Sequence, residues 1–91
     1  MWRIHESPKT QKALKKLPLE ILKRYEKWKD IIYISGPQGL RAIKGFHDES
    51  LKGNWKGFRS SRLNIQYRVI YQVFSGLILI EVFDINPHRY Y

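Results

Sequence analysis

The chain has 91 residues, with seventeen Lys and Arg against eight Asp and Glu, for a formal net charge of +9. One small domain spanning residues 1–91 is expected, and an apolar share of 43% with 14% aromatics excludes a disordered chain. The lack of cysteine excludes disulfides and thiolate metal sites. The surplus of cations points to a polyanionic partner, either a nucleic acid or an acidic protein, because clustered like charges repel one another until a partner neutralises them.

The N-terminal stretch "MWRIHESPKTQKALKKLP" has no apolar signal core. The longest apolar run, "GLILIEVF", is interrupted by Glu81 and is too short to cross a bilayer, so a cytoplasmic protein with no membrane partner is expected. Trp2 to His5 alternates and predicts a first strand with Trp2 and Ile4 inward. Ser7 followed by Pro8 predicts a helix start, a serine N-cap with proline at the first helical position. That helix, "PKTQKALKKL", must stop before Pro18. A second helix is predicted from about Leu19 to Ile34, with Ile21, Leu22, Tyr25, Trp28 and Ile32 forming one stripe and Lys23, Lys27 and Asp30 opposite. The tight connection predicts an antiparallel helical hairpin.

"SGPQG" breaks the chain, "LRAIKGF" adds a helical turn or two ended by Gly45, and "HDESLKGNWKG" reads as a polar loop. Three strands follow, Gly57 to Leu63, Tyr67 to Val73 and Leu77 to Ile85, the last nearly all apolar and therefore central. The order predicts an α+β fold, βααβββ, with the helical hairpin packed on one face of a four-stranded, mainly antiparallel sheet.

The other face is left for "SLKGNWKGFRSSRLNIQYRVIYQV", which holds Lys52, Lys56, Arg59, Arg62 and Arg68 and no acid. Arg68 is opposite in parity to Val69, Tyr71 and Val73. If the turn centres on Ile65, Arg62 pairs directly with Arg68 on the exposed face, where like charges would be eased by an anion between them. Arginine's planar fork suits phosphate. His88 follows the last strand beside Arg89, Tyr90 and Tyr91. Histidine exchanges a proton near neutrality, and a proton donor beside arginines has the make-up of a phosphodiester-cleaving site. His5 and His47 read as structural. No His and carboxylate set has metal-ligand spacing, and there is no Gly-rich phosphate loop, so neither a metal nor a cofactor is expected.

The βααβββ order, the Leu-Lys-Gly of residues 51–53, the Gly-aromatic-Arg step of 57–59, the Arg-Leu of 62–63, the Tyr-Arg-Val-Ile-Tyr of 67–71 and the closing "PHRYY" resemble the RelE/ParE superfamily of bacterial type II toxins. The nearest branches are those of RelE, YoeB and HigB, with "GFHDESLKG" HigB-like. The resemblance implies a ribosome-dependent mRNA endonuclease (mRNA interferase) that cuts the codon in the A site of the 70S ribosome and inhibits translation. The attack there is metal-independent and made by the ribose 2′-OH. A cognate antitoxin would cover the basic surface in a toxin–antitoxin hetero-oligomer.

Residue by residue, the resemblance makes Arg68 the holder of the scissile phosphate, Glu49 the general base and His88 the general acid, with Tyr91 or Tyr90 as the terminal tyrosine. Lys52, Lys56, Arg59, Arg62 and Arg89 would hold the mRNA or 16S rRNA backbone, with Tyr90 beside them. His88 is fourth from the end, whereas in YoeB-like chains the histidine is next to last, and RelE-like members use lysines in place of the glutamate. The division of labour between His88 and the tyrosines, and between Glu49 and a lysine, therefore stays open. Two other readings remain. One is a ParE-like gyrase inhibitor with the same fold and no RNase site. The other is a plain RNA-binding module stacking bases on Trp55 and Phe58.

Overall fold

The computed structural model describes residues 1–87. Strand β1 (Arg3–Glu6) leads into helix α1 (Pro8–Leu14), and helix α2 (Leu19–Ser35) follows. A short helix, α3 (Gln38–Arg41), and a 3-10 turn at Lys44–Phe46 carry the chain to strand β2 (Glu49–Ser50). Strands β3 (Arg59–Arg62), β4 (Tyr67–Phe74) and β5 (Leu79–Pro87) complete the sheet. Five strands stand in the order β1-β5-β4-β3-β2, with β1 parallel to β5 and the other pairs antiparallel. The expected count of four is corrected to five. The extra strand is the two-residue β2, inside the segment read as a polar loop; two polar residues show no alternation.

Ser7 caps α1 as its sequence demands, accepting from the Thr10 amide at 3.0 Å with Pro8 in the first turn. The Ser7 hydroxyl donates to the Phe83 carbonyl at 2.7 Å and the Ser7 amide to the Val82 carbonyl at 3.0 Å, so the cap also ties the helix to β5. The helix ends at Leu14, three residues before the predicted Leu17. The residue before proline avoids the helical region, and the chain closes through i→i−3 bonds from Lys15 and Lys16.

The apolar stripe of α2 buries Ile21, Tyr25, Trp28 and Ile32 against Val69, Tyr71, Ile80, Val82 and Ile85 of β4 and β5. Each such side chain contributes about 1.5–3 kcal/mol relative to exposure. Two polar tips aim the helix. Tyr25 donates to Glu6 at 2.6 Å, and Trp28 Nε1 donates to Ser61 at 2.9 Å. Burial first, then the hydrogen bond to Glu6 and the charges of Glu6 and Glu26, hold the Tyr25 phenol protonated far above its ordinary range. Helix α2 ends at Gly36, whose φ of +74° favours glycine. A Cβ there would meet Trp2 Nε1 at 2.8 Å, so the close approach of the Trp2 ring also needs glycine.

The register of β4 on β5 slips between Ile70 and Tyr71, because Tyr71 pairs with Val82 and Ile70 with Asp84. Phe83 is the extra residue of a β-bulge. The bulge keeps Val82 and Ile85 on the helix side while Asp84, paired with Ile70, turns to the second face.

Candidate functional site

The β3–β4 hairpin closes through the Leu63 amide to the Tyr67 carbonyl at 2.8 Å. Asn64 Oδ1 accepts from the Gln66 and Tyr67 amides at 2.8 and 2.7 Å. This turn centres on Ile65 and pairs Arg62 directly with Arg68, the register expected from the sequence. Val69 and Tyr71 are fully buried beneath α2, so Arg68 points to the second face, and its cross-strand partner shares that face. Neither arginine has an ion pair or a side-chain hydrogen bond among the described residues, and Arg68 Nε is buried without a partner. A buried donor left unmet costs about 1–3 kcal/mol. An oxyanion held between the two guanidiniums would remove their mutual repulsion.

The carboxylate of Asp84 on the same face is already engaged, by Asn86 at 2.8 Å and Lys9 at 3.4 Å. Glu49 in β2 pairs with Ser60, which pairs in turn with Ile70, so Glu49 shares the face of Arg62 and Arg68. Strand spacing and rise place its Cα on the order of 8 Å from that of Arg62 and 12 Å from that of Arg68. Lys52 and Lys56 flank a 3-10 turn at Gly53–Trp55, and both are exposed.

Arg59 lies elsewhere. It pairs with Tyr71 and belongs to the helix side, where its Nε and Nη2 donate to Asp48 at 2.9 and 2.7 Å. Asp48, its side chain fully buried, also accepts from Ser61 at 2.6 Å and from the Tyr71 hydroxyl. Trp28 donates to the same Ser61, so one carboxylate ties α2, β3 and β4 to the loop before β2. Burial draws the Arg59 guanidinium downward, but the hydrogen bond and charge of Asp48 outweigh it and the net direction is upward. Burial, then the charge of Asp48, hold the Tyr71 phenol protonated well above its ordinary value. Among the described residues the basic row thus has four cations without an acid partner and one arginine locked into the framework, because the acid that pairs with Arg59 lies just upstream of the stretch that carries the charges.

The second face also carries three aromatic rings. Trp55, Phe58 and Phe83 meet edge to face with centroids 5.3, 5.6 and 5.5 Å apart. Lys9 stands 5.6 Å from the Phe83 centroid. Phe58 belongs to this group and not to the main core, and Trp55 is 42% exposed. Sequence reading missed Phe83 because the bulge that turns the chain there has no composition signal. It missed Asp48 because a lone loop acid shows nothing of its depth. His88, Arg89, Tyr90 and Tyr91 lie outside the described residues. No group of three or more His, Asp or Glu is placed to hold a metal among the described residues, and no described helix is long and apolar enough to cross a membrane.

No protein-family model matches the chain. Over 51 residues, 56% of its length, the chain is 45% identical to toxin HigB-1 of Vibrio cholerae, and it spans about half of that relative, 52%. Its fold is similar to a chain of the YoeB–YefM complex from Staphylococcus aureus, with a TM-score of 0.75, 22% identity, and coverage of 98% of this chain and 99% of that one. It is also similar to a chain of the archaeal RelE–RelB complex from Pyrococcus horikoshii, with a TM-score of 0.74, 27% identity, and coverage of 94% and 93%.

Proposed function

We propose that this chain, which has the RelE/ParE-like toxin fold, is the toxin of a type II toxin–antitoxin pair and acts as a ribosome-dependent mRNA endonuclease. The observation that carries the reading is the direct pairing of Arg62 with Arg68 on the face away from α2, with a buried donor of Arg68 left unmet among the described residues. Two adjacent guanidiniums suit the charge that builds on a phosphate as a 2′-OH attacks it. The attack also needs a base for the 2′-OH proton and an acid for the departing 5′-oxygen. Glu49 shares the face and is a candidate base, with Lys52 and Lys56 as the cationic alternative. His88 is proposed as the acid from its sequence position, with Tyr90 and Tyr91 as the alternative donors and Arg89 as a further backbone contact.

Arg62, Lys52 and Lys56 then hold the RNA backbone, and Trp55, exposed at the edge of the aromatic group, offers a ring for a base. Arg59 supports the sheet and does not touch RNA. The same cations would draw an acidic antitoxin segment, and the similarity to chains solved as YoeB–YefM and RelE–RelB complexes supports a protein partner of that kind.

The reading is tested by inducing the chain in bacteria and pulse-labelling with methionine and thymidine. Methionine incorporation should fall within minutes while thymidine incorporation continues, and Arg68→Ala should spare both. If thymidine incorporation falls first, the endonuclease reading fails and the gyrase-inhibitor reading takes its place.

A further inference from the structure

A cleft of about 400 Å³ opens at the end of the sheet, where the β3–β4 turn meets α2 and residues 45–47. Arg24, Gly45, His47, Arg62 and Asn64 line it, and no carboxylate does. Arg24 reaches it from α2 with its guanidinium carbon 4.0 Å from the Phe46 ring centroid. At that distance the guanidinium has a cation–π contact with the ring. A Cβ on Gly45 would stand 3.1 Å from Arg24 Nη2, so the end of the Arg24 side chain lies close against the backbone there.

Asn64 Oδ1 is engaged by two backbone amides, which fixes the side-chain amide so that its NH2 group is the unengaged end. Arg24, His47 and Arg62 have no ion pair and no side-chain hydrogen bond among the described residues. The cleft therefore gathers Arg24, His47 and Asn64, with Arg62 at its border, around an open space. A cluster of donors with no acceptor of opposite charge is built for an oxyanion.

Arg62 decides which oxyanion. The residue borders the cleft and is paired directly with Arg68 across β3 and β4, so the two basic sites adjoin at one residue. We propose that the cleft is a second phosphate site, which takes a backbone phosphodiester of the same single RNA strand whose scissile phosphate lies at Arg68. The site rests on the RNA reading above and extends it, because it fixes the path of the strand past the end of β3 and makes Arg24 a contact of the RNA backbone.

The experiment is an amide NMR titration of the full chain, using a 2′-O-methyl hexanucleotide, which lacks the attacking hydroxyl, and in parallel hexaglutamate. The oligonucleotide should shift the amides of Gly45, His47 and Asn64 together with those of Ser60 and Gln72. Arg24→Gln keeps helix propensity, and it should remove the cleft shifts and spare those of the second face. Loss of one phosphate contact should lower the salt slope by about 0.7 and weaken binding about fivefold at 0.1 M salt. Shifts confined to Ser60 and Gln72 in the wild type would overturn the cleft while leaving the RNA reading intact. Shifts at neither place would overturn both. A cleft that responds to hexaglutamate and not to the oligonucleotide would overturn the phosphate assignment and give the site to an acidic protein segment.

Discussion

Replacing Arg59 with methionine tests the division of the basic row most sharply, because Asp48 holds this arginine. Methionine keeps the length and apolar stem of the side chain and removes the guanidinium. Asp48 then loses both bonds at Oδ1 and stays fully buried with only Ser61 and Tyr71 as donors. Breaking a buried pair from one side costs about 3–5 kcal/mol. Arg59 keeps 20% of its side chain exposed, so solvent moderates the loss and the lower end applies, about 3 kcal/mol. In a domain of this size that lowers Tm by roughly 12–24 °C, at about 4–8 °C per kcal/mol.

The assay is thermal unfolding followed by far-UV circular dichroism, beside ribosome binding measured well below Tm. Binding should stay within about twofold of wild type, because Arg59 belongs to the helix side of the sheet and a change there leaves the phosphate contacts in place. The double variant Asp48→Asn with Arg59→Met should recover part of the lost stability, because no buried charge is then left unpaired. An Arg59→Met protein that melts within 2–3 °C of wild type, on the scale of about 0.5 kcal/mol, and loses binding would refute the structural role.

Arg68→Ala should abolish toxicity while changing stability by less than about 1 kcal/mol, since it removes a phosphate contact and an unmet donor together; growth arrest by a folded variant would remove Arg68 from the site. Ribosome affinity should fall with a log–log salt slope of roughly −0.7 per phosphate contact, so four free cations predict about −3, and a flat response would leave the row as mere solubilising charge. Stability should hold steady up to about pH 9 and fall above pH 10. Tyr25, Tyr71 and Lys29 all have folded pKa values raised above their unfolded ones. Groups of that kind stabilise below the unfolded pKa and lose the contribution as pH rises toward the folded one; urea titrations at pH 8, 9.5 and 11 check the sign. Ser7→Ala should cost about 1 kcal/mol through the lost cap, and no change in the urea midpoint would remove the cap's role.

The residues that could be read in advance are those whose signals are local. Ser7 with Pro8 announced a helix start, and the stripe from Ile21 to Ile32 announced the face of α2 that is buried. The alternation of β4 put Arg68 on the second face, and a turn supposed at Ile65 set Arg62 against it, the pairing that the structure has. What escaped depends on contacts distant in sequence. Asp48 looks like any loop acid until Trp28, Ser61 and Tyr71 close around it. The cleft draws Arg24 from α2 and Arg62 from β3, 38 positions apart, and nothing in either segment signals the other. Glu49 and Ser50 became a strand only because β3 was there to pair with them.

The most direct measurement is primer extension on one defined mRNA, incubated with purified chain in the presence and absence of translating ribosomes, with Arg68→Ala and His88→Gln run alongside. Wild type should produce discrete stops inside codons only when ribosomes are translating. Arg68→Ala should produce none, and His88→Gln should cut slower by about 10²–10⁴ if the histidine is the acid. Equal cutting of naked mRNA, or no cutting on ribosomes by a folded and growth-arresting chain, would contradict ribosome-dependent cleavage.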